Sequence, residues 1–117
     1  SSTSRGLGDV YKRQIILNKH TDGSFLSLKN FNAITRNERN TYVIKGDDYA
    51  VGVVQIASKG VRRIDSYVSV GDVINKGCWL GMIRFGSQVD VILPYDCNVK
   101  IQLGQQIYAA KTIIATR

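Results

Sequence analysis

Gly86 and Ser87, in the stretch "RFGSQVDVIL", form a pair that could do chemistry on the backbone itself. A serine hydroxyl held against the preceding carbonyl carbon can attack it, which moves the acyl group from nitrogen to oxygen and makes an ester. Glycine before the serine leaves that carbonyl unshielded and tolerates strained backbone angles. β-Elimination then breaks the ester and leaves a dehydroalanine, which tautomerises and loses ammonia to become a pyruvoyl group. The pair therefore predicts a chain that can build its own reactive ketone, although Gly-Ser is also a common turn dipeptide.

Ser87 could instead belong to a hydrolase, with His20 and an aspartate completing a triad. The context argues against this, because "FGSQV" lacks the G-x-S-x-G turn that exposes such a nucleophile and no helix is predicted after it. His20 is the only histidine and lies in the turn-rich stretch "NKHTDGS", so we interpret it as a surface residue in a loop. Cys78 and Cys97 are far apart and form no C-x-x-C motif, so we expect free thiols packed as small hydrophobic residues and no metal site.

A non-catalytic carrier or binding module of the biotinyl or lipoyl type is the competing interpretation. "VGDVINKGCWL" (70–80) and "LGQQIYAAKTI" (103–113) align at an offset of 33 residues, and each reads as a glycine turn, an apolar residue, a second turn and a strand. Two such motifs face each other in barrel-sandwich folds. A carrier would place a modified lysine in the connection "LPYDCNVK", where Asp96, Cys97 and Asn98 stand instead.

The elements that must position these residues are short runs of Val, Ile, Tyr and Thr separated by turn residues, which predicts an all-β sandwich or barrel-sandwich with two similar hairpin motifs. The stretch "IKGDDYAV" predicts a hairpin that turns at Gly46, Asp47 and Asp48. The predicted strands are 24–28, 41–46, 49–57, 61–68, 79–85, 87–93, 97–102 and 111–115.

Period-two alternation around Ser87 places it on the side of the strand that should face the core. The residues that share this side, and that would wall the reacting group, are Ile83, Phe85, Val89 and Val91.

The formal net charge is +7, or +5 without residues 1–14; a positive domain attracts polyanions such as an anionic lipid surface, but singly scattered basic residues are also typical of an ordinary solvated surface. Nucleic acid is not expected, because no tract interleaves aromatic residues with Arg or Lys. The longest apolar stretch, "YAVGVVQIA", is about half of what a membrane-spanning helix needs. The basic residues proposed to attract an anionic head group or membrane are Lys59, Arg62, Arg63 and Arg84.

Three motifs together resemble the phosphatidylserine decarboxylase proenzymes, particularly their short form. They are Asn-Glu-Arg-Asn at 37–40, the Gly-Val-Val-Gln-Ile run at 52–56, and Arg-Phe-Gly-Ser at 84–87. The resemblance covers residues 15–117 and implies cleavage between Gly86 and Ser87. The products would be a β chain, of which 15–86 is a part, and an α chain, 87–117.

In that family Ser87 becomes the covalent pyruvoyl cofactor, and its ketone forms a Schiff base with the serine amine of phosphatidylserine. Loss of carbon dioxide then yields phosphatidylethanolamine, so the resemblance implies a carbon–carbon lyase. It further implies a peripheral location on a membrane, at the cytoplasmic face of the cell membrane. The expected partners are the lipid, the membrane surface and the two chains of the same proenzyme, with homo-oligomerisation left open.

Residues 1–14 read differently from the rest, and "GDVYKRQ" resembles a translated sequencing adapter, so we expect this leader to be non-native. Members of the family also carry an upstream half with a Ser-Pro-x-Asp-x-His segment, whose aspartate and histidine drive self-cleavage. This segment is absent from the sequence, and the surroundings of His20 do not match it. We therefore expect a C-terminal fragment that is impaired in processing and inactive alone.

Overall fold

The computed structural model describes residues 13–24, 26–27, 29, 32, 36–58, 64–75, 77–83, 88–109 and 111–117. The named elements of this part are all β-strands, which confirms the all-β prediction. In chain order they are β1 (Gln14–Thr21), β2 (Arg39–Lys45), β3 (Ala50–Ile56), β4 (Ile64–Ser66), β5 (Gly81–Ile83), β6 (Gln88–Ile92), β7 (Asn98–Val99) and β8 (Ala115–Thr116).

Four strands form an antiparallel sheet in the order β1-β2-β3-β6. The predicted hairpin joins β2 to β3, and the Gly46 N–H donates to the Tyr49 carbonyl at 2.8 Å to close the turn. β3 therefore lies between its hairpin partner and β6, and Ile56 pairs with Gln88 at one end of the sheet. The two remaining pairs, β4 with β5 and β7 with β8, are also antiparallel.

A buried hydrophobic cluster lies on one face of this sheet, while Val54 and Ile56 are buried on the other face. Ile15, Tyr42, Val68 and Ile74 form the cluster, and Ile44, Val53 and Leu80 pack against it. Since directly paired residues share a face, the pairing of Tyr42 with Val53 and of Val53 with Val91 places all three side chains on the core side. We call this the core face.

The pairs β4–β5 and β7–β8 each enclose a segment with two turns, and we call each pair with its described intervening residues the first motif and the second motif. The first turn of each motif contains a glycine at positive φ, 95° at Gly71 and 79° at Gly104. Both also close the second turn in the same way, since Cys78 N–H donates to Asn75 O at 3.0 Å and Lys111 N–H to Tyr108 O at 3.1 Å. The offset of 33 residues seen in the sequence thus holds for the turn geometry.

Two expectations about the strands were wrong. Of the strand predicted at 24–28, the structure describes Ser24, Leu26 and Ser27; these form no named strand, and among them only Ser24 forms an isolated bridge, to Asn37. The chain instead places β1 at Gln14–Thr21, across the stretch that we interpreted as a loop. The alternation of apolar and polar residues is weak there, and β1 is held in the sheet by an antiparallel ladder with β2 that is interrupted by a bulge between Ile15 and Leu17.

Val89 and Val91 lie on the core face as predicted but are 52% and 41% exposed. The first motif contributes Val68, Ile74 and Leu80 to the core over β1, β2 and β3, and no described residue covers β6 on that side to the same extent. The two valines therefore do not form buried walls among the described residues, while Gln88 and Asp90 on the other face are partly buried.

Candidate functional site

The predicted processing site lies next to the start of β6. Gly86 and Ser87 fall outside the described residues, as do Arg84 and Phe85 and the basic residues Lys59, Arg62 and Arg63. The structure describes the residue that follows the junction, Gln88, whose Cα partner is Ile56 at the end of β3. The described neighbours of the junction lie at that end of the sheet.

A row of side chains crosses the core face at this end of the sheet. The register pairs His20 with Asn40, Asn40 with Gln55, and Gln55 with Val89, one residue from each of the four strands. Three members of the row are polar. The alternation of β6 predicts that Ser87 shares this face with Val89, so the polar row leads toward the predicted junction.

Gln55 is the polar member of the row on the strand adjacent to β6. Its Oε1 accepts a hydrogen bond from the Tyr42 hydroxyl at 3.2 Å, and the side chain of Tyr42 is fully buried. This bond fixes the amide orientation, and it leaves the Nε2 group, a donor of two hydrogen bonds, as the other end of the amide. A donor next to the start of β6 is the type of group that can orient a carbonyl oxygen.

His20 forms a cluster with two carboxylates at the far edge of the same row. Its Nε2 lies 3.4 Å from Asp22 Oδ1 and 3.5 Å from Glu38 Oε2. One donor atom from each residue falls within 4.8 Å of the others, so this set could hold a divalent cation as well as an ion pair. The residue is exposed, as predicted, but it lies in β1 and not in a loop.

The position of His20 argues against a direct role at the junction. β2 and β3 separate it from β6, and three strand spacings place it about 14 Å from Val89. A general base must come within hydrogen-bond reach of the proton that it removes. The interpretation of His20 as a surface residue thus agrees with the register of the sheet.

The Asn-Glu-Arg-Asn motif has a structural role that the sequence analysis did not identify. Asn37 is 1% exposed, and its amide accepts from Leu26 N–H at 2.8 Å and donates to Leu26 O at 2.8 Å and Ala57 O at 2.7 Å. It therefore ties the segment at Leu26 to the residue that follows β3. The sequence signal for such a clamp was the pair of asparagines spaced three apart, since an amide that becomes buried on folding is almost always hydrogen-bonded.

Asn40, the last residue of that motif, extends the clamp across β1. Its Nδ2 donates to Asn18 Oδ1 at 2.9 Å, and Asn18 Nδ2 donates in turn to Val68 O at 2.7 Å and Ser66 Oγ at 3.1 Å. The chain of amides links β2 through β1 to the first motif. It fixes how the first motif covers the sheet.

A separate cleft of about 400 Å³ lies at the opposite end of the sheet, between Arg13 and the β2–β3 hairpin at Gly46 to Tyr49. Val51 lines this cleft, whereas Ile56 pairs with Gln88 at the start of β6. Five residue steps along β3 separate the two, a distance of about 17 Å. Asp47 and Asp48 line the cleft, so its acidic rim does not match an anionic lipid head group. We do not assign it to the predicted chemistry.

The two cysteines are free thiols, as predicted. Cys97 is partly buried, but Cys78 is exposed, so the expectation that both pack as small hydrophobic residues was wrong for Cys78. It follows a glycine turn at the surface of the first motif, where no described strand covers it. Among the described residues, no helix has the length and apolar character needed to cross a membrane.

Comparison with known proteins identifies the family. The family model described as phosphatidylserine decarboxylase matches residues 8–115. Among curated proteins, the chain is 42% identical over 102 residues to a protein of Methanothermobacter thermautotrophicus that is provisionally named archaetidylserine decarboxylase proenzyme; the match covers 87% of this chain and 45% of that protein.

Relatives with the same provisional name show similar agreement. The chain is 49% identical over 82 residues to the Methanococcoides burtonii protein, with 70% of this chain and 39% of that protein covered. It is 41% identical over 104 residues to the Methanocaldococcus jannaschii protein, with 89% and 50% covered. The chain thus spans about half the length of these relatives or less, and no solved structure matches it significantly.

Proposed function

Because the chain belongs to the phosphatidylserine decarboxylase family, we propose that it supplies the self-cleavage junction of a pyruvoyl-dependent lipid decarboxylase. The observation that carries the proposal is the family match over residues 8–115, which includes Gly86, Ser87 and β6. The chain spans about half of its relatives, so the complete activity is proposed for the whole proenzyme.

In the proposed processing step, the Ser87 hydroxyl oxygen attacks the carbonyl carbon of Gly86. The C–O ester bond forms as the peptide C–N bond breaks, and the freed nitrogen takes up a proton. Loss of the Ser87 Cα proton then expels Gly86 as a carboxylate. The dehydroalanine that remains tautomerises, and water releases its nitrogen as ammonia, which leaves a pyruvoyl group at the start of chain 87–117. When present, this ketone supplies an electron sink for the decarboxylation of an attached amine.

The strand ladder keeps the new chain end in place. β6 pairs with β3 from Gln88 to Ile92, so the segment downstream of the cut remains hydrogen-bonded after the peptide bond breaks. The described strands on both sides of the junction are paired, β5 with β4 upstream and β6 with β3 downstream, so the ladders on either side do not depend on the broken peptide bond.

Gln55 is the residue that we assign a positioning role. It pairs directly with Val89 on the face that alternation predicts for Ser87, and its hydrogen bond from Tyr42 orients the amide. An amide donor beside the junction can hold the Gly86 carbonyl or the substrate carboxylate, whichever occupies that space. The amide dipole would then stabilise the negative charge that develops on the Gly86 oxygen during attack, or the charge of the substrate carboxylate.

The substrate that we propose is a lipid with a phosphoserine head group. The family name specifies phosphatidylserine, and the curated relatives are named for archaetidylserine. What the two names share is a serine head group, whose amine reacts with a ketone and whose carboxylate leaves as carbon dioxide. The net charge of +7 agrees with a peripheral position on an anionic membrane, which we propose at the cytoplasmic face.

Ser87→Ala in a proenzyme completed with the upstream half of the Methanothermobacter thermautotrophicus relative tests the proposed chemistry. The variant should stay uncleaved and release no carbon dioxide from phosphatidylserine or archaetidylserine vesicles, because it has no hydroxyl to attack Gly86. Ser69→Ala is the matched control, since that residue is exposed and donates through its backbone N–H. Unchanged carbon dioxide release by Ser87→Ala would reject the proposal.

The 117-residue chain by itself should process slowly or not at all, because it contains no Ser-Pro-x-Asp-x-His segment to activate the hydroxyl. Intact-mass spectrometry of the purified chain over time is the measurement. Efficient appearance of a fragment that starts at position 87 and lacks ammonia would contradict this prediction. It would also show that the residues needed for cleavage lie within this sequence.

A further inference from the structure

The first turns of the two motifs have the same hydrogen bonds at equivalent positions, 33 residues apart. Asp72 N–H donates to Ser69 O at 3.0 Å, and Gln105 N–H to Gln102 O at 3.1 Å. A second bond runs in the opposite direction in each turn: Ser69 N–H donates to Asp72 Oδ2 at 2.8 Å, and Gln102 N–H donates to Gln105 Oε1 at 3.0 Å. The two segments thus present equivalent backbone edges.

In the first motif this edge is occupied by an extended strand. Gly71 N–H donates to Ile15 O at 2.8 Å, Ile15 N–H donates to Asp72 O at 2.9 Å, and Ile74 N–H donates to Arg13 O at 2.9 Å. The Gln14 side chain adds a bond to Gly71 O at 3.2 Å. The segment Arg13–Ile15 therefore covers this edge of the first motif, and Ile74, the apolar residue of the edge, is buried.

The equivalent edge of the second motif is Gly104 N–H, Gln105 O and Ile107 N–H. Within the described ranges, none of these three groups has a strand partner or a backbone hydrogen bond of this kind. The side chains show the same contrast, since Ile74 is 8% exposed and its counterpart Ile107 is 50% exposed. A backbone edge beside an uncovered apolar side chain is a template for strand addition.

We infer that the edge from Gly104 to Ile107 is a docking site for an extended strand from the rest of the proenzyme, bound as Arg13–Ile15 binds the first motif. The inference rests on the proposed function, because it takes the chain to be part of a longer proenzyme. A proenzyme of the length of these relatives contains enough further chain to provide such a strand, since this chain covers only 45% of the Methanothermobacter thermautotrophicus protein.

The first motif also specifies the chemistry of the occupant. It must offer a carbonyl, an N–H and a second carbonyl in extended register, with an apolar residue at the position of Ile15, which is fully buried. β1 of a second copy is a poorer occupant, because its two edges already pair with β2 and with the first motif.

Amide hydrogen exchange measured by NMR tests the inference. The 117-residue chain is compared with a chimera in which it replaces the matching segment of the Methanothermobacter thermautotrophicus proenzyme. In the chain alone, Gly71 and Ile74 should exchange slowly and Gly104 and Ile107 quickly. In the chimera, exchange at Gly104 and Ile107 should slow at least about tenfold, toward the rates of Gly71 and Ile74.

Ile107→Asp in the chimera should remove the protection at Gly104, because a carboxylate replaces the apolar contact of the docked strand. Leu103→Asp is the matched control, since Leu103 is 105% exposed at the turn tip and its counterpart Val70 is 61% exposed. That variant should keep the protection. Equal loss of protection in both variants would contradict a contact specific to this edge.

Two results would overturn the inference: protection of Gly104 and Ile107 already in the chain alone, or fast exchange at both in a chimera whose Gly71 and Ile74 are protected. If the chimera does not protect Gly71, the aligned amides of the intact relative are measured, and fast exchange there has the same meaning. Carbon dioxide release is assayed in parallel. An active proenzyme with an unprotected edge rejects only this inference, whereas a protected edge without activity rejects only the proposed function.

Discussion

Asn37→Asp should destabilise the protein in a pH-dependent way, because it changes a buried amide into a carboxyl of the same shape. The amide donates through Nδ2 to Leu26 O at 2.8 Å and Ala57 O at 2.7 Å, and it accepts from Leu26 N–H at 2.8 Å. A protonated carboxyl keeps the acceptor and one donor, so one carbonyl loses its partner. This loss costs about 1 kcal/mol at low pH.

At higher pH the penalty grows, because the ionised carboxyl would face two carbonyl oxygens at a site that is 1% exposed. Burial and the carbonyl dipoles raise the folded-state pKa of the new carboxyl above its unfolded value of about 3.9. The folded state then binds more protons than the unfolded state, so stability falls as pH rises from about 4 to the folded-state pKa. A rise of about two units adds about 2.7 kcal/mol, and the total near pH 7 is then about 4 kcal/mol.

The assay is urea unfolding followed by far-ultraviolet circular dichroism at pH 3.5 and pH 7, with the parent chain measured at both. Asn98→Asp in β7 is the matched control, because that residue is exposed. A pH-independent penalty, or a loss at pH 7 no larger than that of the control, would refute the clamp assigned to Asn37.

Two further substitutions test the packing and the site. Gly81→Ala should lower the free energy of unfolding by about 3 kcal/mol, because a Cβ there would lie 2.6 Å from the Tyr42 hydroxyl oxygen. Gly71→Ala is the comparison: a Cβ there would meet open space, so only its φ of 95° is unfavourable, and the loss should be about 1 kcal/mol. Both free energies are measured by urea unfolding. His20→Gln should change the free energy of unfolding by less than about 1 kcal/mol, because the contacts of His20 with Asp22 and Glu38 are partly solvated. The completed proenzyme with this substitution should keep its rate of self-cleavage, measured by gel electrophoresis. A large loss of cleavage would instead give His20 a role in the cleavage reaction.

The hairpin between β2 and β3 and the two turn motifs could be predicted from the sequence because their signals are local. Gly46, Asp47 and Asp48 separate two apolar runs, and Gly71 and Gly104 occupy positions that need positive φ. These conformations depend on neighbouring residues alone. β1 could not be predicted in the same way, because its polar residues at Asn18 to Thr21 adopt a strand only through pairing with β2.

By itself the sequence determined the fold class, the family and the expected junction at Gly86 and Ser87, because backbone chemistry of this kind depends on residues adjacent in the chain. It also determined which face of β6 each residue takes, since period-two alternation is intrinsic to an extended strand. Val89 and Val91 lie on the predicted face.

Only the tertiary structure decided what covers that face. The first motif packs over β1, β2 and β3, so Tyr42 is buried while Val89 remains half exposed. The tertiary structure also decided that β2 and β3 separate His20 from β6, and that Gln55 lies on the strand next to β6. Such distances depend on the order of strands in the sheet, which is fixed by contacts between residues far apart in sequence and leaves no local signature.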